Sequence, residues 1–247
     1  MSLTDINLRE RQFHDDLQSQ SEGRKQNIFY KALSAMFKDF NNILNKNIKD
    51  KKILDFGCGI GSITEKVSLY SPSQIVGIDI SEVSINKAKN NAKKKGLNIQ
   101  YSVDNCEKSK LESNSFDLIY GSGILHHLNL HSCLKEINRL LKKDGMMVFM
   151  EPLGTNPLIN LYRKFTPNDR SQDEHPFIKK DFELMKNVYS KVDVEYYGFL
   201  TLIFFIFYRN PEKSFFFKFL NSIDKLLFKI SIFKKLAWSV LIVCKKS

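Results

Sequence analysis

The sequence predicts an α/β fold built on a mostly parallel sheet with helices on both faces. Three observations carry that reading. Short apolar runs ending in polar residues, KILD at 52–55, QIVGID at 74–79 and FDLIYG at 116–121, alternate with helix-length amphipathic stretches. These runs are apolar throughout rather than at every second position, as strands covered on both faces are. A glycine turn, Gly57-Cys58-Gly59-Ile60-Gly61, joins the first run to a helical pattern opening at Ser62-Ile63-Thr64.

Asp5 to Ser19 reads as a polar helix. A second helix is expected from about Arg24 to Leu44, where Phe29, Leu33, Phe37 and Phe40 recur at spacings of four and three. Together, residues 1–50 are expected to form helices packing over the mouth of the site or the sheet edge. After Asp79, Ser81 can cap a helix whose apolar side is Val83, Ile85, Ala88 and Ala92, with Gly96 ending it. Ile99 to Asp104 and Phe116 to Gly121 read as the third and fourth strands. A helix from about Ser132 to Leu141 and a turn at Asp144-Gly145 lead to a fifth strand, Met146 to Glu151.

Beyond residue 151 the pattern changes. Residues 152–176 form a long, polar, proline-punctuated segment, and ordered loops of that length are commonly functional. A helix (about Lys179 to Tyr189), a strand (Val192 to Tyr197), the oily run FLTLIFFIFY at 199–208 and a final strand within Ala237 to Cys244 follow. Between them, Glu212 to Lys235 carries Phe216, Leu220, Ile223, Leu227 and Ile230 at helical spacing, widened by Phe219 and Leu226, with lysines alongside. A basic amphipathic helix suits a membrane interface, and equally a packing helix on the sheet. The chain thus divides into N-terminal helices (1–50), a core (51–151) and an acceptor-side loop, hydrophobic cap and final strands (152–247), all within one domain.

Composition narrows the class. With 43% hydrophobic residues among 247, the chain can bury a substantial core, which excludes a disordered or fibrous protein. Cys58, Cys106, Cys133 and Cys244 form no C-x-x-C pair and have no His at zinc-ligand spacing, so reduced, packed thiols are expected. The polar N-terminus is no signal peptide, and no apolar run reaches membrane-spanning length. A cytoplasmic protein, peripheral at most to the inner membrane surface, is the expectation. The net charge of +11 is either a lysine bias on solvated faces or an attraction to an anionic partner.

The glycine spacing separates two kinds of nucleotide site. A dinucleotide fingerprint counted from Gly57 requires its third glycine at position 62, where Ser62 stands. A nicotinamide enzyme is therefore disfavoured. The pattern D-F-G-C-G-I-G instead resembles the first motif of class I S-adenosylmethionine-dependent methyltransferases. VGID with Asp79, YSVDNCE with Asp104, and SFDLIYGSGILHHL resemble three further motifs of that family in the same order.

The resemblance covers Lys51 to Glu151 and implies a Rossmann-like seven-stranded sheet with S-adenosyl-L-methionine as cofactor. It places Gly57, Cys58, Gly59 and Gly61 along the cofactor's methionine part. Asp79, with Ile80 beside it, falls on the ribose hydroxyls, Asp104 and the amide of Asn105 on the adenine, and Gly121 near the amino group. Asp55 would bind turn amides or reach the cofactor's ammonium. Polar groups able to serve an acceptor are His126, His127, Glu151 and His175, with base catalysis and mere pocket lining both open for the two adjacent histidines. No aspartate-rich motif of the catechol type is present, so no catalytic metal is expected.

The oily acceptor-side segments favour a small hydrophobic, aromatic or lipid-like acceptor methylated on oxygen or nitrogen. An RNA or protein methyltransferase, or a catalytically silent membrane-surface protein with the same fold, are the alternatives. GSGI stands where an N-P-P-[YF]-type tetrapeptide would point to nucleic acid or protein.

Overall fold

Consecutive residues of the central strands feed two separate apolar layers, and this alternation sets the architecture. In a computed structural model, which describes residues 3–19, 28–167 and 170–246, seven strands form one sheet. They are β1 (Lys52–Phe56), β2 (Gln74–Asp79), β3 (Gln100–Val103), β4 (Phe116–Ser122), β5 (Leu141–Pro152), β6 (Lys191–Tyr197) and β7 (Ser239–Lys245). Their order is β3-β2-β1-β4-β5-β7-β6, and β7 alone runs antiparallel to its neighbours.

Ile53, Ile75, Leu118, Val148 and Leu241 face one layer. There they meet Met36, Phe40 and Leu44 of α2 (Ser34–Asn47), while α3 (Ser62–Ser68) and α4 (Glu82–Lys94) follow β1 and β2. Their neighbours Leu54, Val76, Ile119, Met147 and Ile242 face the other layer. Leu134 and Ile137 of α5 (Leu130–Leu140) and Met185 of α7 (Lys179–Val188) cover that side. Strands buried on both faces need apolar residues at every position, which is why the sequence shows runs rather than alternation.

Chain direction reverses its walk across the sheet between β1 and β4. Open α/β sheets hold ligands in the crevice at such a switch point, outside the carboxyl ends of the strands. Gly121 lets β4 pass close to its neighbours there. A Cβ on it would stand 2.6 Å from the Phe149 ring and 2.7 Å from the Phe56 carbonyl oxygen.

Four features differ from the sequence expectations. The second N-terminal helix begins as a 3-10 turn, Ile28–Leu33, before α2; Arg24 lies outside the described residues. α2 lies on the sheet face rather than over the site, whereas α1 (Asp5–Ser19) does reach the site. The segment after β5 contains a helix, α6 (Pro157–Phe165), whose Asn156 side chain accepts from the amides of Leu158 and Ile159. Asn at the N-cap followed by Pro at the first helical position is a start signal legible in the sequence.

The amphipathic stretch is also not one helix. α8 (Leu200–Ile203) precedes α9 (Phe215–Leu227) and the single turn α10 (Ser231–Lys234). Of the predicted stripe, Leu220 is buried and Ile223 and Leu227 are half-buried, but α9 turns Phe217 and Asp224 inward and leaves Phe216, Phe219 and Leu226 exposed. Asp224 explains the rotation. Its carboxylate accepts from the Leu200 amide at 2.8 Å, the Thr201 hydroxyl at 3.0 Å and the amides of Phe199 and Thr201 at 3.2 Å. Three otherwise unpartnered amides at the start of α8 therefore hold α9 by its acidic residue. The aromatic side chains displaced from the core are left facing outward.

Candidate functional site

β1 runs into the glycine turn, and the turn's shape follows from its backbone bonds. The amides of Gly57 and Cys58 both donate to the Ile78 carbonyl at 2.9 Å, and the Gly61 amide donates to the Cys58 carbonyl at 3.0 Å. Gly57, Gly59 and Gly61 have φ of +75°, +51° and +82°, a region that side chains disfavour. Around Gly59 no heavy atom lies within 4 Å of where a Cβ would stand, so its main chain is open to a ligand. Gly61 serves packing instead, since a Cβ there would stand 2.3 Å from the Tyr101 hydroxyl.

Beyond the turn lies a cavity of about 310 Å³, within the range of small-molecule sites. Asp55, Gly57, Cys58, Gly59, Asp79, Ile80, Asn105 and His127 line it. One carboxylate oxygen of Asp79 accepts from the Gly59 amide at 2.8 Å, and the other from the Ser81 amide at 2.9 Å. The acid is thereby fixed at the end of β2 with its remaining lone pairs available. Burial pushes its carboxyl upward in pKa, against those two amides.

Asp55 is buried more completely. It accepts from the Thr64 hydroxyl at 2.6 Å, and burial lifts its carboxyl from 3.8 to about 7. A carboxylate held in that state favours an arriving cation, whose charge would offset the desolvation. Burial likewise pushes the Cys58 thiol well up, so it is a packed, unreactive side chain.

Helix α1 closes the cavity from the opposite side, with Glu10, His14 and Gln18 in its wall. Side-chain hydrogen bonds hold it there. The Asn105 side-chain amide donates to Asn7 at 3.1 Å, the Ser81 hydroxyl bonds Asp15, and Arg9 makes a two-pronged pair with Asp173 at 2.8 and 2.9 Å. None of the three wall residues was singled out from the sequence. The available signal was their spacing of four, which stacks Glu10, His14 and Gln18 on one helix face.

The acceptor-side candidates are separated by the structure. His127 lines the cavity, and its Nδ1 lies 3.3 Å from the Ser171 hydroxyl and 3.2 Å from a Glu10 oxygen. His126 is buried behind it, with Nδ1 2.7 Å from Glu151. Fully buried Glu151 also accepts from the amides of Ile124 and Leu125, so it shapes the turn after β4 and does not line the cavity. His175 points away: its ring is 60% exposed and lies 3.5 Å from Asp181 at the start of α7.

Besides Gly61, two predicted cofactor contacts stand off the cavity wall. Asp104 spends its carboxylate on the amides of Asn105 and Lys110, both at 2.9 Å, as a turn-forming residue does. Gly121 lies behind Ser122 and Gly123, which are the lining residues at the end of β4.

A model of a methyltransferase domain matches residues 47–198, more than half of the chain. The chain belongs to that family. Its fold and glycine-turn site make it a class I S-adenosylmethionine-dependent methyltransferase. Over 114 residues it is 40% identical to a ubiquinone biosynthesis O-methyltransferase of Pelagibacter ubique, covering 45% of this chain and 47% of that one. Over 128 residues it is 34% identical to 24-methylenesterol C-methyltransferase 2 of Arabidopsis thaliana, covering 51% and 33%. The matched stretch thus spans less than half the length of either relative.

Among solved structures, the geranyl diphosphate C-methyltransferase of Streptomyces coelicolor superposes with a TM-score of 0.67 at 12% identity, over 99% of this chain and 98% of that one. At such identity it supports the fold alone. The cofactor of the family is S-adenosylmethionine, and the cavity fits it. The open main chain at Gly59, the paired amides fixing Asp79, and the cation-favouring Asp55 are the complements of an adenosyl group joined to a charged amino acid.

Proposed function

We propose that this methyltransferase transfers a methyl group to an oxygen or nitrogen of a small hydrophobic or lipid-like acceptor taken up at a membrane surface. Asp79 would hold the ribose hydroxyls by charge-assisted hydrogen bonds, and Asp55 the donor's ammonium. Methyl transfer from a sulfonium is an in-line displacement, so the chain's own work is to hold the acceptor's lone pair on axis and exclude water. His127, the histidine in the cavity wall, would accept a proton from a hydroxyl or amine acceptor. His126, Glu151 and the post-β4 turn position that ring.

The observation that carries the acceptor class is the exposed oily crest between β6 and β7. Phe207, Phe215, Phe219, Leu226 and Ile232 are all more than half exposed, with Phe215 at 83%. Monomeric proteins seldom leave such side chains contiguous without a partner. Between positions 200 and 235 the chain carries seven Lys or Arg against two acids, and one of those acids, Asp224, is buried. Aromatics among lysines match the headgroup region of an anionic bilayer. The crest also rises from the sheet edge that bears the cavity, because Ser239 pairs with both Pro152 at the end of β5 and Tyr197 at the end of β6. Among the described residues no helix is long and apolar enough to cross a membrane.

Labelled methyl donor incubated with the protein and a fractionated cell extract tests this. Label is expected in the organic-solvent fraction; label confined to RNA or protein would overturn the reading. Flotation with anionic vesicles is expected at low salt, to weaken at high salt, and to fail for Phe215→Ser/Phe219→Ser. Wild-type protein that stays at the bottom of the gradient would remove the membrane from the proposal.

A further inference from the structure

Glu10, His14 and His127 bring three metal-ligating groups together at the cavity wall. One carboxylate oxygen and one ring nitrogen from each histidine all lie within 4.8 Å of one another. We propose that they form a site for a divalent transition-metal ion, with its open position facing the cavity. This rests on the methyltransferase reading only for what the open position would hold.

Glu10 supplies the independent observation. It is 97% buried, and among the described residues neither of its oxygens meets full hydrogen-bond geometry, with only His14, His127 and Ser171 standing beside it. A buried carboxylate left so is costly unless a cation or donor completes it. His127 Nδ1 stands 3.2 Å and His14 Nε2 3.7 Å from the same Glu10 oxygen. Ligands about 2.0–2.1 Å from a tetrahedral ion lie roughly 3.3 Å from each other, their lone pairs aimed at the centre instead of along a hydrogen bond. The Glu10–His127 distance is of that kind, and His14 stands somewhat further out. Ser171, whose hydroxyl is 3.3 Å from His127 Nδ1, is the neighbour that competes for this nitrogen.

Two imidazoles and one carboxylate suit zinc, iron or manganese better than magnesium or calcium. Three protein ligands with a fourth position open is the pattern of catalytic rather than structural sites. The open side faces the cavity, so an acceptor hydroxyl could bind there and ionise more readily, as metal-bound water does, its proton leaving to solvent; with the ion bound, this replaces His127 as the base. Glu10 and His14 face one side of α1 because they are four apart, and His127 reaches them from the turn after β4. The four cysteines are all buried and offer no competing thiolates.

Titration of metal-free full-length protein with Co²⁺, read by visible absorption, and with Zn²⁺, read by calorimetry, tests the site. One ion per chain is expected, with a rise in melting temperature on Zn²⁺ addition. His14→Ala, at a partly exposed position, and Glu10→Gln, which keeps the side chain's size, are each expected to lower affinity at least tenfold. No stoichiometric binding by the wild type, or binding unchanged in both variants, would overturn the proposal. Methyl-donor binding by the wild type is measured separately, so failure of the metal site and failure of the methyltransferase reading give different results.

Discussion

The two walls of the cavity are built in opposite ways. The sheet-side wall is local: β1, the glycine turn and the end of β2 place Asp55, Gly59 and Asp79 within twenty-five residues of one another, joined by backbone amides. The outer wall is assembled from afar. Glu10 and His14 come from α1 and His127 from the turn after β4, with Ser171 of the long segment after β5 beside the His127 ring. A local wall made of main-chain bonds survives side-chain change, whereas the distant wall depends on each tie. The first suits an invariant donor, and the second a variable acceptor.

The largest effect of a substitution is expected behind the cavity, at the buried support of the turn that carries His127. Glu151→Ala leaves the buried Leu125 amide, the half-buried Ile124 amide and the His126 ring without their acceptor, so a loss of about 3 kcal/mol in unfolding free energy is expected by denaturant titration. A loss under 1 kcal/mol would show that Glu151 does not organise the turn. Next comes Asp79→Ala, expected to weaken donor binding by roughly 1–3 kcal/mol with modest change in melting temperature. Unchanged donor affinity would separate the sheet-side wall from the cofactor.

Asp55 gives the sheet-side wall a pH dependence. Its carboxyl is raised from 3.8 to about 7 by burial, against the Thr64 hydroxyl. The unfolded chain ionises it at the lower value while the folded protein resists. Its stabilising contribution is therefore complete below about pH 4 and is lost as pH climbs to about 7. Asp55→Asn should flatten that part of the stability profile of the donor-free protein. Donor affinity in the wild type should rise across the upper end of the same window, because a cation binds the ionised form.

The smallest effect belongs to the tie between α1 and the post-β5 segment. Arg9→Ala removes an exposed pair with Asp173, and such pairs contribute little to global stability. Melting should hardly move, while amide exchange in α1 should quicken. An equal change in both would mean that α1 is part of the cooperative core and not a separately tied cover.

Legibility in the sequence followed the same division. KILDFGCGIG and VGID were readable because every contact that shapes them is made within a strand, a turn or the adjacent strand's end. Asp104 was harder, since a carboxylate ending a strand can face a ligand or its own turn amides, and here it takes the Asn105 and Lys110 amides. His126 and His127 look alike in sequence, and only the position of Glu151, twenty-five residues beyond His126, turns one inward and leaves the other in the cavity wall. The helical stripe through Phe216 and Phe219 was real as a pattern. The buried face was nevertheless chosen by Asp224, because three amides at the start of α8 required an acceptor.

By itself, then, the sequence determined the sheet, the glycine turn and the donor it serves, since these rest on short-range periodicity and backbone geometry. Tertiary structure decided the cover, the facing histidine and the outward aromatics. Those depend on which distant polar groups must satisfy one another once water is excluded, and no local pattern in the chain encodes that pairing.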